Sequence, residues 1–88
     1  MPEEARINLR QLQYFVRIAE VGNITRAAEQ LNVAQPALGL QIRQLEQELR
    51  ADLLLRHSRG VELTEAGKLL LERARRLAWA HVTLARHH

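Results

Sequence analysis

The chain contains no cysteine, which excludes disulfide bonds, cysteine-ligated zinc sites and thiol nucleophiles. Aromatic residues make up only 3% of its 88 residues, so the core must be built from Leu, Ile, Val and Ala. No apolar run approaches the roughly 20 residues that a membrane span needs. The polar, acidic start Met1-Pro2-Glu3-Glu4 also lacks the pattern of a signal peptide. We therefore expect one small cytoplasmic protein without membrane contact.

Residue sets for catalysis are also missing. The sequence offers no carboxylate pair suited to acid–base work, no Ser/His/Asp set and no glycine-rich phosphate loop, so we predict neither enzymatic activity nor a cofactor. Three histidines near the end, His81, His87 and His88, do not form an i, i+4 helical pair, and no carboxylate lies among them. We predict no metal site.

Arginine dominates the positive charge. The net charge is +3, and the 13 basic residues comprise twelve arginines and a single lysine. Guanidinium groups bind phosphate and guanine through two parallel donors, so this bias is compatible with nucleic acid. The alternative is that most of these arginines are solvated surface. Glu46 and Glu48 are expected on a solvated face.

Apolar spacing predicts two helices in the first third of the chain. The first covers about residues 9–21 and ends at Gly22, because glycine accepts the left-handed turn at a helix end. Either Asn23 or Thr25 can cap the second helix, which is short and ends near Leu31.

A third helix, a hairpin and a fourth helix are predicted next. The third helix covers about residues 35–49, with Pro36 in a first-turn position where its missing N–H costs nothing. Two short apolar runs around the polar turn at residues 57–60 predict a hairpin. Thr64 then caps a long last helix that can continue to Arg86.

The last helix has two apolar stripes. One is expected to dock on the domain core and comprises Ala66, Leu70, Ala74 and Leu77. The other needs a further partner, which we expect to be a second copy of the chain. This dimerisation set comprises Leu71, Ala78, Trp79, Val82 and Ala85. The alternative is that the second stripe packs on a domain absent from this chain.

Residues 23–49 have the arrangement of a helix-turn-helix: a short helix, a tight turn and a longer helix. In such a unit the first helix braces against the DNA backbone and the second lies in the major groove. Gln35, at the start of the second helix, can hydrogen-bond a base. Arg43 can reach a phosphate or a guanine.

The predicted hairpin tip carries Arg56, His57, Ser58 and Arg59. A basic loop beside a recognition helix can enter the minor groove or grip the backbone; the alternative is a solvated hairpin tip. His57 is either a pH-sensitive phosphate contact or an ordinary loop residue.

Five short motifs stand out between residues 9 and 67: Ala27-Ala28, Gln35-Pro36-Ala37-Leu38, Gln41-Ile42, Leu45-Glu46 and Leu63-Thr64-Glu65-Ala66-Gly67. With these motifs, residues 9–67 resemble the DNA-binding domain of LysR-type transcriptional regulators. The resemblance implies a mainly α fold: a winged helix-turn-helix of three helices and a short β-hairpin wing over residues 1–63, followed by a linker helix over residues 64–88.

The same resemblance implies partners. The chain would bind a partly symmetric double-stranded promoter site as a homodimer whose linker helices pair antiparallel, and a full-length relative would form a tetramer. A small-molecule inducer would bind only an effector domain that this chain lacks. The chain would then be either a fragment or a naturally short product.

The resemblance also carries over site residues. It implies groove contacts for Gln35 and Pro36, a phosphate contact for Thr25, and wing contacts for Arg56 and Arg59. The full predicted DNA-binding set is Thr25, Gln35, Pro36, Ala37, Gly39, Leu40, Arg43, Arg56, His57, Ser58 and Arg59.

Three positions depart from the family pattern, which usually has Ser at 34, Ser at 39 and Arg at 40. Ala34 cannot cap its helix, which costs about 1 kcal/mol relative to Ser. Leu40 cannot donate a hydrogen bond, although it can contact a thymine methyl. The family's usual roles at these three positions therefore do not transfer. A competing hypothesis from a different class is a protein-interaction module in which the winged helix serves only for dimerisation.

Overall fold

A computed structural model describes residues 8–86, with side chains described for residues 8–77. The elements are α1 (Leu9–Val21), α2 (Ile24–Leu31), α3 (Gln35–Leu49), β1 (Leu54–His57), β2 (Gly60–Leu63) and α4 (Glu65–Arg86). The predicted order of three helices, a hairpin and a fourth helix is confirmed. No helix in the described part of the chain combines the length and hydropathy needed to cross a membrane.

Both ends of α1 follow from local chemistry. The Asn8 side chain accepts a hydrogen bond from the Gln11 backbone N–H over 2.8 Å and so caps the helix. Gly22 ends it in the left-handed region, with φ 76°, and donates its N–H to the Ile18 carbonyl. The Gln11 side chain is buried and donates from Nε2 to Gln41 Oε1 over 3.2 Å, which ties α1 to α3.

The two helices of the helix-turn-helix are capped differently. Asn23, rather than Thr25, caps α2, because its Oδ1 accepts from the Arg26 backbone N–H over 2.8 Å. Ala34 occupies the N-cap position of α3 and makes no side-chain capping bond, as its side chain predicts. Pro36 lies in the first turn of α3, where its missing N–H breaks no helical bond.

The core lies where α1, α2 and α3 meet and extends to β1 and α4. Ala27 and Ala28 are both buried, and their small side chains let α2 approach its neighbours closely. The largest fully buried side chains are Phe15, Ile18, Leu38, Ile42, Leu45 and Leu53. Phe15 is the one aromatic residue in this set, which agrees with a core built mainly from aliphatic side chains.

The hairpin is a two-stranded antiparallel sheet with Leu54 paired to Leu63 and His57 paired to Gly60. Thr64 follows β2 and caps α4: its Oγ1 accepts from the Gly67 backbone N–H over 3.0 Å and donates to the Asp52 carbonyl. The predicted cap is therefore confirmed, and it also fixes the start of α4 to the loop before the hairpin.

Two assignments on α4 are corrected by the structure. Leu71, which we expected to face a partner, is 9% exposed and belongs to the core of its own domain. Leu77, which we expected to dock on that core, is 60% exposed. The reason is that Gly67 is buried against the Leu53 carbonyl, and this close approach rotates the Gly67 and Leu71 side of α4 towards the core. The other predicted dimer residues, Ala78, Trp79, Val82 and Ala85, lie outside the residues whose side chains are described.

Glu46 is also corrected, because it does not lie on a solvated face. Its carboxylate is half-buried and accepts from the backbone N–H groups of Leu53 and Leu54, over 2.8 and 3.3 Å. A charged acceptor is well suited to two neighbouring amides that enter a strand. Glu46 therefore fixes the position of β1, and with it the hairpin, relative to α3.

Candidate nucleic-acid interface

The turn between α2 and α3 sets the position of the α3 amino terminus. Asn32 adopts a left-handed conformation, with φ 61°, and the Val33 N–H donates to the Ala28 carbonyl over 3.0 Å. Val33 packs against the core, so the turn is held from inside the domain. As a result α3 begins at the surface, with Gln35, Pro36 and Ala37 all exposed.

One side of α3 is exposed along its length. Pro36, Gly39, Leu40 and Arg43 are three or four residues apart and therefore share one helical face. Leu38, Ile42 and Leu45 are buried on the other side. The helix is thus anchored by aliphatic side chains and presents a mixed polar, apolar and cationic surface outwards.

A side-chain hydrogen bond joins the starts of α2 and α3. Thr25 donates from Oγ1 to Gln35 Oε1 over 3.0 Å, and both side chains are exposed. This contact orients the Gln35 amide through its oxygen. The Nε2 N–H groups of Gln35 can therefore donate to another acceptor. Thr25 therefore positions the Gln35 side chain in the domain without DNA, a role that the sequence did not predict.

The hairpin stands beside α3 and adds Arg56 to the same surface. A Cβ at Gly39 would lie 3.7 Å from Arg56 Nη2, so the guanidinium reaches the exposed face of α3. Together with the start of α2, the two elements line a shallow cavity formed by Ile24, Gln35, Pro36, Gly39, Leu40, Arg43 and Arg56. Ile24 was not singled out from the sequence, because an isoleucine at a helix start resembles an ordinary core residue.

The hairpin tip continues this surface. A second concavity connects Thr25 and Gln35 to Arg56, His57, Ser58 and Arg59. All four tip residues are exposed. These two concavities bring together all the predicted DNA-binding residues except Ala37, which is exposed but lines neither.

His57 has partners within the hairpin. Its Nε2 lies 3.2 Å from Glu62 Oε2, and its Nδ1 accepts from the Arg59 backbone N–H over 3.2 Å. Both ring nitrogens are thus engaged, which favours a structural role in the turn over a phosphate contact. Among the residues whose side chains are described, no group of three His, Asp or Glu is arranged to hold a metal ion.

The fold and this surface define a winged helix-turn-helix protein. The chain belongs to the lysR family of bacterial regulatory helix-turn-helix proteins, whose sequence profile matches residues 9–68. These residues form the family's DNA-binding domain, and the predicted fold and family are confirmed. The family comprises transcription regulators and not enzymes, in agreement with the prediction.

Several curated relatives are similar over most of this chain. The nitrogen assimilation regulatory protein nac of Klebsiella aerogenes is 54% identical over 69 residues, which are 78% of this chain and 23% of the relative. The HTH-type transcriptional regulator ClcR of Pseudomonas putida is 52% identical over 77 residues, covering 88% of this chain and 26% of ClcR. The chain therefore spans about a quarter of the length of these relatives.

Solved structures agree with the fold. The DNA-binding domain of CbnR in complex with DNA superposes with a TM-score of 0.82 at 45% identity, covering 92% of this chain and 94% of that one. The DNA-binding domain of BenM in complex with catB site 1 DNA gives a TM-score of 0.85 at 38% identity, covering 92% and 90%.

Proposed function

We propose that this chain binds double-stranded promoter DNA in a sequence-specific manner and so regulates transcription. In this proposal α3 lies in the major groove, and the hairpin tip at residues 56–60 lies on the minor groove or the backbone. The observation that supports it is the single surface shared by the start of α3, Arg43 and Arg56. CbnR and BenM, which share the fold, have been solved with DNA on their DNA-binding domains.

The side chains on this surface suit different parts of a duplex. Gln35 can both donate to and accept from a base edge in the major groove. Arg43 suits a phosphate or a guanine, and Arg59 at the hairpin tip suits the backbone. Gln35 would therefore determine sequence preference, whereas the tip arginine would add affinity for all sequences alike.

We also propose a homodimer formed through α4, with Ala78, Trp79, Val82 and Ala85 at the contact. The support is the sequence pattern: these residues are apolar, and Ala78, Val82 and Ala85 are spaced four and three residues apart, so they share one face of α4. In a longer protein we expect a tetramer, an additional domain that binds a small-molecule inducer, and a cytoplasmic location where promoter DNA is accessible.

A gel-shift titration against duplex DNA at several salt concentrations tests the DNA-binding proposal. The parent chain should form a complex whose affinity falls steeply with salt. Arg59→Ala should weaken binding to all sequences and reduce the slope of log affinity against log salt by about 1, as loss of one phosphate contact predicts.

Gln35→Ala should instead change the ranking of sequences and leave the salt slope near that of the parent. Gln13→Ala is the matched control, because Gln13 is exposed on α1 and lies outside the two concavities of the interface. If the chain were only a protein-interaction module, it would form no salt-dependent complex with duplex DNA. That result would contradict the proposal.

A further inference from the structure

Leu40 is an unusual residue for the middle of this surface. Its side chain is 51% exposed, although it is flanked by polar and cationic groups on the outward face of α3. Single exposed leucines elsewhere on a protein need no explanation. Leu40, however, lies within the surface proposed to contact DNA, where its only available contribution is apolar contact.

The surroundings of Leu40 extend this apolar character. Ile24, Pro36 and Gly39 line the same shallow cavity as Leu40. Gly39 has no side chain, and the Arg56 guanidinium lies beside it, 3.7 Å from the position that a Cβ would take. We call these four residues, Ile24, Pro36, Gly39 and Leu40, the apolar reading patch.

Cationic groups border the patch. Arg43 and Arg56 both line the cavity, so a ligand that fits it combines negative charge at the rim with a small apolar group at the centre. Duplex DNA has this combination in the major groove beside its phosphates. Of the four bases, only thymine presents a methyl group there.

Resting on the proposed DNA-binding function, we infer that the apolar reading patch receives the C5-methyl group of a thymine in each half-site. Leu40 is then the specificity-determining residue at that base pair. The methyl group leaves water when it contacts the patch. Because Leu40 has no polar atoms in its side chain, this contact leaves none of its groups without a hydrogen-bond partner.

Replacing each thymine of a selected binding site by deoxyuridine, one at a time, tests this inference, because the change removes only the methyl group. At one thymine per half-site, binding by the parent chain should weaken about fourfold, as expected for one buried methyl group. 5-Bromodeoxyuridine, whose bromine resembles a methyl group in size, should restore binding at that position. Leu40→Ala should make binding at that position insensitive to the substitution.

Leu55→Ala is the matched control. Leu55 is 54% exposed, close to the exposure of Leu40, and lies outside both concavities of the interface. This variant should keep the full deoxyuridine effect. Leu40→Arg should shift the preferred base at the same position from thymine to guanine, because a guanidinium donates to guanine O6 and N7.

Two results would overturn the inference but leave the proposed function standing. In the first, the chain discriminates between duplexes but binds every deoxyuridine-substituted site as tightly as the unsubstituted site. In the second, the deoxyuridine effect persists unchanged in Leu40→Ala. A chain that does not discriminate between duplexes at all would overturn the proposed function together with the inference.

Discussion

Thr25 Oγ1 donates a hydrogen bond to Gln35 Oε1 over 3.0 Å and so couples the start of α2 to the start of α3. The bond spans the turn of the helix-turn-helix and fixes the direction of the amide before any DNA is present. The two residues were expected to make separate contacts, one with phosphate and one with a base. The structure links them, so under the proposed function Thr25 would influence which base the Gln35 amide prefers.

Thr25→Val should therefore reduce sequence discrimination. Valine keeps the branched shape but lacks the hydroxyl, so the Gln35 amide loses its orienting partner, at a cost of about 0.5–1.5 kcal/mol for one hydrogen bond. The ratio of affinities for the preferred and a substituted base at the Gln35 position should fall by a few-fold to about tenfold. Thr25→Ser, which retains the hydroxyl, is the control. If Thr25 only contacts phosphate, Thr25→Val will weaken all duplexes equally and leave this ratio unchanged.

Gly67→Ala should lower the stability of the domain. A Cβ at this position would overlap the Leu53 carbonyl oxygen and approach Leu63 Cδ2, so α4 would have to move away from the hairpin. Overpacking of this kind costs about 1–3 kcal/mol, which exceeds the gain from replacing a helical glycine. Urea denaturation followed by circular dichroism measures the change.

Gly39→Ala is the matched control for Gly67→Ala. Its added Cβ would lie 3.7 Å from Arg56 Nη2, an ordinary contact, and alanine stabilises a helix interior by about 0.5–1 kcal/mol relative to glycine. The two substitutions should therefore shift stability in opposite directions. Equal shifts for both would show that the close approach of α4 to Leu53 is not a real constraint.

Glu46→Ala should also destabilise the domain and loosen the hairpin. It leaves the Leu53 and Leu54 amides without their acceptor, at a cost of about 1–3 kcal/mol. Glu46→Gln, which retains one acceptor oxygen, should lose less. Hydrogen exchange at the Leu53 and Leu54 amides should accelerate in Glu46→Ala, whereas unchanged exchange would exclude the proposed role.

Much of this fold could be predicted from the sequence, because several elements carry their own end signals. Asn8 and Gly22 delimit α1, and Pro36 marks the first turn of α3. The predicted bounds of both helices match the structure. The outward face of α3 could also be predicted, since Pro36, Leu40 and Arg43 follow helical spacing and are exposed.

What could not be predicted depends on contacts between distant elements. Glu46 has the composition of a solvated residue, and its role requires the amides at residues 53 and 54 to be folded against it. Leu71 and Leu77 belong to neighbouring helical stripes, and periodicity alone does not show which stripe faces the core. The approach of Gly67 to Leu53 decides that question.

Val82→Glu should weaken self-association. Val82 belongs to the proposed dimer contact, and burial of a glutamate in an apolar contact should lower the association constant at least about tenfold. Sedimentation equilibrium measures this, with Leu55→Glu on the exposed hairpin as control. A parent chain that stays monomeric at high micromolar concentration would contradict the dimer proposed here.

Selection of bound duplexes from a random pool, carried out with the parent chain and with Gln35→Ala, tests sequence-specific binding most directly. The parent should enrich paired half-sites whose centres lie about 34 Å apart, or a multiple of it, along one face of the duplex. Gln35→Ala should lose the preference at one base position of each half-site. No enrichment by the parent, or identical enriched sequences for both chains, would contradict the assignment of α3 as the reading helix.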